Sequence, residues 1–472
     1  MSSTLYAICA IAGVLSAALC FLIVRQRPGK LGADAPDLFR KGQGQPVSRL
    51  GGVPIFLTLF SVLSILRITG NIHGSHFNAL MTTNALMFLV GFIDDLSPMG
   101  ARFKLAGQLI VALVAYSMGL RIETFHIPFT DEPVLIGQLS LFLTIGWLIF
   151  VPNIVNLIDG LDGLAGGMGV FLCLVLAILG VVSENPMAAA MSVTMLGTLS
   201  GFLIFNFPPA RIYLGDGGAY LTGYFVGSVS LAGSHKGSIA AALLVVVVAL
   251  GLPLMDTVFA IIRRGITGLP LFRADAEHIH HRMASRGFSK SRTLMMMYGT
   301  TVLFGLAGLS LFWNRGQTLP IVGALVVSVT FASARYLGYV RNWRTFLKDL
   351  SMAWSRRGDI RYALMHNELL EVEIDRARSA EEFWLAFMES LYRVGLEHVS
   401  HGTNAAPEDN DRVISLKMAD QSSWHLRYRD DSRPAQDWVR IAKCLQGAYS
   451  SGVTSWGPCR TTPLEEKAET RD

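Results

Sequence analysis

Leu139-Ser-Leu-Phe-Leu-Thr-Ile-Gly-Trp-Leu-Ile-Phe-Val-Pro152 runs directly into Asn153-Ile-Val-Asn156-Leu-Ile-Asp159-Gly-Leu-Asp162-Gly-Leu-Ala165-Gly-Gly167. The first part is apolar enough to sit in a bilayer. The second places two carboxamides and two carboxylates at its end, where polar groups are costly to keep without a task. The spacing 153, 156, 159, 162 is i, i+3, so on a helical turn the four side chains share one face. Oxygen ligands and amides gathered on one face suit a hard cation and a polar substrate. Capping by Asn or Asp with a Gly stop explains one or two of these residues, not four in register.

Composition sets the class outward from this stretch. Of 472 residues, 51% are hydrophobic and only 16% charged, and the mean hydropathy is +0.42. A soluble chain carries about a quarter charged residues. The apolar residues fall in about eleven blocks: 5–24, 53–68, 77–93, 105–120, 139–155, 164–182, 187–207, 219–232, 239–260, 293–313 and 319–337. Each approaches the roughly 20 residues a membrane-spanning helix needs. The expected fold is therefore an all-α polytopic membrane protein of about ten or eleven transmembrane helices. Arg25 and Arg27 follow the first block without a small-residue cleavage site, so a retained span is expected there rather than a signal peptide.

Basic residues then give an orientation. Loops 25–52, 94–104, 208–218 and 261–292, with everything after Arg341, hold nearly all the loop Lys and Arg. The alternate loops hold scattered ones such as Arg121, Lys236 and Arg315. The positive-inside rule puts the first set in the cytoplasm and the N-terminus outside, with the 153–167 stretch on the cytoplasmic face. The net charge of +5 is thus a topology signal and gives no reason to expect nucleic acid. Cys9, Cys20, Cys173, Cys444 and Cys459 show neither CxxC nor metal-ligand spacing, which implies no disulfide and no zinc.

The remaining unusual segments share that face. Asp94-Asp95 ends the third block, with Arg102 and Lys104 at the start of the fourth. Asn206-Phe-Pro-Pro-Ala-Arg211 leads to Gly215-Asp216-Gly217-Gly218, a lone carboxylate in a glycine-rich turn. The largest loop holds Asp275, His278, His280, His281 and Arg282. Scattered helix caps would fall on both faces, so these segments read as one shared site. Carboxylates can hold Mg²⁺ while leaving room for substrate oxygens, and Lys and Arg can neutralise phosphate charge. The clustered His residues could instead ligate zinc, but no His-Glu-x-x-His helix accompanies them. Phosphate or sugar contacts are the expectation.

Taken in order, Asp94-Asp95, the 153–167 stretch, Asn206-x-x-Pro-Ala-Arg with Gly215-Asp216, and His278-Ile-His280-His281-Arg282 resemble the polyprenyl-phosphate N-acetylhexosamine-1-phosphate transferases. These form the WecA/TagO-like branch of the superfamily that includes MraY, within glycosyltransferase family 4. The likeness covers about residues 1–340 and rests on separated motifs with matching topology. It implies a cell inner-membrane enzyme with a cytoplasmic active site. The enzyme would move a sugar-1-phosphate, GlcNAc-1-phosphate first, from a UDP-N-acetyl sugar to undecaprenyl phosphate and release UMP. Mg²⁺ is the implied cofactor, with Mn²⁺ as a substitute, and a homodimer is left open.

Carried over by position, the resemblance implies that Asp94 accepts a proton from the lipid phosphate or orients it, supported by Asp95, while Lys104 holds its charge. Asn156 and Asp216 would ligate the metal. Asp159 would stand beside them, counted with the catalytic residues, and Asp162 would read the uracil. Arg49, Asn153, Asn206, His278, His280, His281 and Arg282 would line the substrate site. Ser48 stands where many relatives carry Pro, and Ala276 where a basic residue is frequent, which bears on donor preference. The His-Ile-His-His-Arg form fits the N-acetylhexosamine branch better than the muramoyl-pentapeptide branch. A transporter would also explain the spans, but transporters place their sites near the midplane. The CDP-alcohol phosphotransferases use an Asp-Gly-x-x-Ala-Arg pattern that is absent here.

The 121–138 segment alternates like a short external hairpin, with His126 a surface residue. Beyond residue 341 the chain turns charged. Residues 359–378 have helical periodicity, Ser379-Ala-Glu-Glu382 opens a second helix to about 397, 412–418 and 423–428 alternate like paired strands, and 434–449 reads as a closing helix. Residues 341–460 are expected to form a small cytoplasmic α+β domain of unassigned role, for which regulation or partner docking and an inert appendage are equal readings, with a disordered tail over 461–472. Deleting residues 350–472 should leave basal sugar-phosphate transfer intact in a membrane assay; complete loss in folded protein would refute the division.

Overall fold

The computed structural model describes residues 2–25, 33–34, 47–126, 133–232, 245–251, 255, 283, 286–314, 317–336, 357–402, 413–417, 423–429 and 435–457. They form two compact units, the first made of the described residues up to 336 and the second of those from 357 to 457. The first is a bundle of α1 (Ser2–Arg25), α2 (Gly52–Ile68), α3 (Phe77–Leu96), α4 (Ala101–Ser117), α5 (Leu139–Ile158), α6 (Leu164–Val182), α7 (Pro186–Asn206), α8 (Gly215–Ala232), α9 (Lys290–Trp313) and α10 (Leu319–Tyr336). Among the described residues, six helices are long and apolar enough to cross a membrane: α1, α3, α5, α6, α7 and α9. The chain is a multi-pass membrane protein. Of the expected ninth span, Val245, Val246 and Ala249 are helical and buried.

The helices are apolar nearly all round because they bury one face and offer the other to lipid. Phe103, Ile110, Phe142, Leu306 and Ile321 are exposed. Between helices the backbone comes close at glycines. A β-carbon at Gly91 of α3 would overlap the Asp216 carbonyl, one at Gly52 of α2 the backbone of Gly218, and one at Gly223 the backbone of Pro152 in α5. Small residues allow such approach where lipid tails leave little hydrophobic force between helices. Polar side chains add cross-links. Asn84 donates to Ser228 at 3.1 Å, and the Trp147 indole donates to the Gly227 carbonyl at 3.0 Å.

Two expectations change at the polar end. The i, i+3 face does not extend to residue 162: α5 stops at Ile158, and residues 159–163 form a turn in which Gly163 has φ +81°. Asp216 lies not in a turn but in the first turn of α8. The glycines around it serve helix contact, since Gly217 and Gly218 are buried against α3 and α2. Between α1 and α2, β1 (Ala33–Asp34) pairs antiparallel with β2 (Val47–Ser48), and on the connection between α4 and α5, β3 (Thr124–His126) pairs antiparallel with β4 (Pro133–Leu135), which is the expected hairpin.

The second unit is α+β. α11 (Arg357–Arg376) and α12 (Ala380–Arg393) precede β5 (Leu396–Gly402), β6 (Val413–Lys417) and β7 (Ser423–Tyr428), in the antiparallel order β5-β7-β6. Ser379 accepts from the Glu382 N–H at 3.2 Å, as the capping motif requires. The helix ends earlier than its sequence periodicity, at Gly395 with φ +87°, and the chain continues as β5. The closing helix is broken at Leu445 into α13 (Ala435–Cys444) and α14 (Gln446–Trp456). Trp384, Phe387, Trp424, Trp438 and Tyr449 fill the core, with Trp424 and Tyr449 edge-to-face at 4.2 Å. The 461–472 tail lies outside the described residues.

Gly91→Val forces a branched side chain into the α8 backbone. Overpacking costs about 1–3 kcal/mol, so the detergent-solubilised protein should unfold at a lower temperature; an unchanged Tm would show that α3 and α8 do not need this approach.

Candidate active site

Five of the sequence-selected residues meet where one end of the bundle gathers the C-termini of α3 and α5 and the N-termini of α4 and α8. The Lys104 ammonium lies 2.6 Å from Asp94 Oδ2 and 2.8 Å from Asp216 Oδ2. Asn156 Nδ2 donates to Asp216 Oδ1 at 3.1 Å, which leaves the carboxamide oxygen for another partner. Asp94 Oδ1 also accepts the Met99 N–H at 2.6 Å, closing the α3–α4 connection. All four side chains are half-buried.

Asp95 faces elsewhere. Its Oδ1 accepts the Asp216 N–H and its Oδ2 the Gly217 N–H, each at 2.8 Å. A neighbouring helix thus supplies the N-cap that α8 lacks. Adjacent residues on a helix point about 100° apart, so the Asp94-Asp95 pair divides its work. Asp94 joins the ion cluster, and Asp95 positions Asp216. The two carboxylates of Asp94 and Asp216 against one ammonium give this cluster a formal charge of −1. With the Asn156 carboxamide oxygen, the donors are all hard oxygen atoms, the set a Mg²⁺ ion takes.

Other predicted site residues hold the frame. Asn153 donates to Gln108 Oε1 at 2.6 Å and to the Ile149 carbonyl at 2.7 Å, joining α5 to α4. Asn206 is buried; its Oδ1 accepts the Gly163 N–H at 3.0 Å and its Nδ2 donates to the Ile212 carbonyl at 2.8 Å. Both its polar groups face backbone, so it fixes the 159–163 turn against the 206–212 segment. Asp162 Oδ2 accepts the Ala210 N–H at 3.4 Å. Asp159 caps the C-terminus of α5. Arg49 is exposed on a segment tied to the site: Tyr213 N–H donates to the Ser48 carbonyl at 2.8 Å and Gly51 N–H to the Tyr213 carbonyl at 3.0 Å. His278, His280, His281 and Arg282 lie outside the described residues.

Sequence reasoning passed over Gln108 and Tyr298. Gln108, a buried amide in an apolar span, could have been found by the polar-residue test applied to Asn153. Tyr298 donates to the Gly163 carbonyl at 2.5 Å, and nothing in its Met-rich surroundings marks it.

Fold and site together define a multi-pass membrane protein with an ion cluster at one end of its bundle. Comparison with known proteins narrows the class. The family model for glycosyl transferase family 4 matches residues 77–234, the stretch from α3 through α8. A Bacillus subtilis (strain 168) protein named as a probable undecaprenyl-phosphate N-acetylglucosaminyl 1-phosphate transferase is 30% identical over 64% of this chain and 83% of its own length. The decaprenyl-phosphate N-acetylglucosaminephosphotransferase of Mycobacterium tuberculosis is 30% identical over 65% of this chain and 82% of its own. A Bacillus thuringiensis phospho-N-acetylmuramoyl-pentapeptide-transferase is 27% identical, over 58% and 86%. The chain belongs to glycosyl transferase family 4, among its polyprenyl-phosphate sugar-1-phosphate transferases.

Asp95→Ala removes two acceptors from the start of α8. Loss of a cap costs about 0.5–2 kcal/mol, so the variant should melt earlier than wild type, with Asp95→Asn between them. Equal melting of all three would assign Asp95 a role other than capping.

Proposed function

We propose that this enzyme transfers N-acetylglucosamine-1-phosphate from UDP-N-acetylglucosamine to undecaprenyl phosphate, releasing UMP, as the first membrane step in building a cell-envelope glycan. The observation that carries the reading is Lys104 held between Asp94 and Asp216, with Asn156 beside them. An anionic nucleophile and an anionic diphosphate repel each other, so their meeting needs fixed positive charge and a base in one place. The donor reading is supported by the relatives: the Bacillus subtilis and Mycobacterium tuberculosis proteins named for N-acetylglucosamine are each 30% identical over 64–65% of the chain, and the muramoyl-pentapeptide enzyme 27% over 58%.

Each residue then has a task. The lipid phosphate oxygen forms a bond to the β-phosphorus of the nucleotide sugar as the bond to the UMP oxygen breaks. Asp94, half-buried at the end of α3, orients the attacking phosphate and takes its proton when it arrives protonated. Lys104 offers its ammonium to the incoming phosphate charge. Mg²⁺, with Mn²⁺ as a substitute, would be held by Asn156 Oδ1 and the Asp216 carboxylate; when bound, it supplies charge neutralisation on the diphosphate. Direct attack needs only this set, because the lipid phosphate is itself a nucleophile, whereas a double displacement would require an aspartyl phosphate. Asp162, in the adjoining turn, is assigned to the uracil, and the His278–Arg282 motif to diphosphate and sugar.

The excess of Lys and Arg in alternate loops and after residue 341 supports an orientation with this end of the bundle and the C-terminal unit cytoplasmic and the N-terminus outside the inner membrane. Purified protein incubated with undecaprenyl phosphate, Mg²⁺ and a panel of UDP-sugars should release UMP fastest with UDP-N-acetylglucosamine and stop on addition of a chelator. Asp216→Asn should abolish release while still inserting; near-normal turnover by that variant would sink the metal assignment.

A further inference from the structure

The 159–163 turn joins α5 to α6 and carries Asp159 and Asp162. It is held at Gly163 from both sides of the peptide chain. Gly163 N–H donates to Asn206 Oδ1 at 3.0 Å, and Gly163 C=O accepts the Tyr298 hydroxyl at 2.5 Å. That carbonyl also accepts the Gly167 N–H at 2.9 Å, the first bond at the start of α6. The tyrosine reaches it only because residue 167 is glycine: a β-carbon there would overlap the phenol oxygen. One helical turn along α6, Phe171 meets the Tyr298 ring edge-to-face, with centroids 5.5 Å apart. Leu294, one turn before Tyr298 on α9, is fully buried and lies 3.3 Å from where a β-carbon of Gly163 would stand. Two side chains of α9 therefore close on a single peptide of this turn.

A phenol hydroxyl inside an apolar helix is costly unless it is bonded, and packing alone would be met by phenylalanine. The hydroxyl is spent on the one carbonyl that fixes the residue following Asp162. Gly163 needs such help because its left-handed φ of +81° ends the turn in a conformation that a glycine populates loosely.

We propose that Tyr298 is a positioning residue for the nucleotide end of the donor: it locks the 159–163 turn through Gly163 and so holds the Asp162 carboxylate ready for the uracil base. This rests on the donor reading above. It predicts an effect on donor binding and not on the lipid acceptor, because Asp94 and Lys104 sit on other helices and make no contact with this turn among the bonds described.

Tyr298→Phe keeps the ring, its Phe171 contact and the Gly167 groove, and removes only the hydroxyl. A neutral hydrogen bond contributes about 0.5–1.5 kcal/mol, so the KM for UDP-N-acetylglucosamine should rise roughly tenfold at most, with kcat and the KM for undecaprenyl phosphate unchanged. Hydrogen–deuterium exchange of the full-length protein in detergent should show faster exchange confined to peptides covering residues 159–167, with Tm held near wild type. Unchanged exchange there would overturn the clamp, whatever the activity. Faster exchange with an unchanged donor KM would overturn its role in donor binding. Wild-type protein that releases no UMP from any UDP-sugar would instead overturn the donor reading, while exchange would still decide the clamp.

Discussion

Two N–H groups at the start of α8, those of Asp216 and Gly217, find their acceptors in Asp95 of α3. A helix leaves its first N–H groups without partners, and here one carboxylate of a neighbouring helix takes two of them. The rest of the polar end depends on this contact. It requires α3 and α8 to run almost backbone against backbone, which Gly91 and Gly217 allow. Because the cap bonds the backbone of Asp216 itself, it fixes the position from which that side chain is projected. The Asp216 carboxylate is then delivered to Lys104 and Asn156 from α4 and α5. Helix packing and site geometry here are a single constraint.

The lysine explains how the cluster survives folding. Asp94 and Asp216 sit close enough to share one ammonium, and half-buried carboxylates so placed repel each other. Lys104 supplies the counter-charge that lets the two lie together. Its reach has a second consequence. A flexible four-carbon stem with a compact charge can turn toward an arriving phosphate, while Asn156 and Asp95 keep Asp216 in place. The same residue can thus compensate the carboxylates and receive substrate charge.

Much of this was legible in the chain. Asp94, Lys104, Asn156 and Asp216 stand at the ends of apolar blocks, where a polar residue carries a desolvation cost, and hydropathy with loop charge brought them to one face. The division within pairs was not legible. Asp94 and Asp95 are adjacent in sequence, yet one joins the ion cluster and the other caps α8, since helix geometry turns neighbours apart and only the packing of α8 decides which faces it. Asn153 and Asn156 share a helical face by spacing, but Asn153 meets Gln108 one turn away from the cluster. The i, i+3 face also stops short of residue 162, because the helix ends at Ile158 and the chain turns through Gly160 and Gly163, which periodicity does not register. Tyr298 was invisible for a related reason: its partner is a backbone carbonyl, which no side-chain pattern records.

The distribution of polar groups along the bundle bears on what the molecule does with them. Deeper along the helices, Asn84 bonds Ser228 and Trp147 bonds the Gly227 carbonyl and Ser230. These are neutral groups linking α3, α5 and α8, and interhelical bonds of this kind hold membrane helices together. Three carboxylates and one ammonium gather at one end, beside a clamped turn with two further aspartates. A protein that moved a solute across the bilayer would need its charge where the path crosses the midplane. A protein that joins a lipid phosphate to a water-soluble nucleotide sugar needs it at the edge, where the lipid headgroup and the soluble donor can both arrive. The neutral interior and charged rim match the second requirement, and that match ties the glycine-lined packing of α3 on α8 to the chemistry at its end.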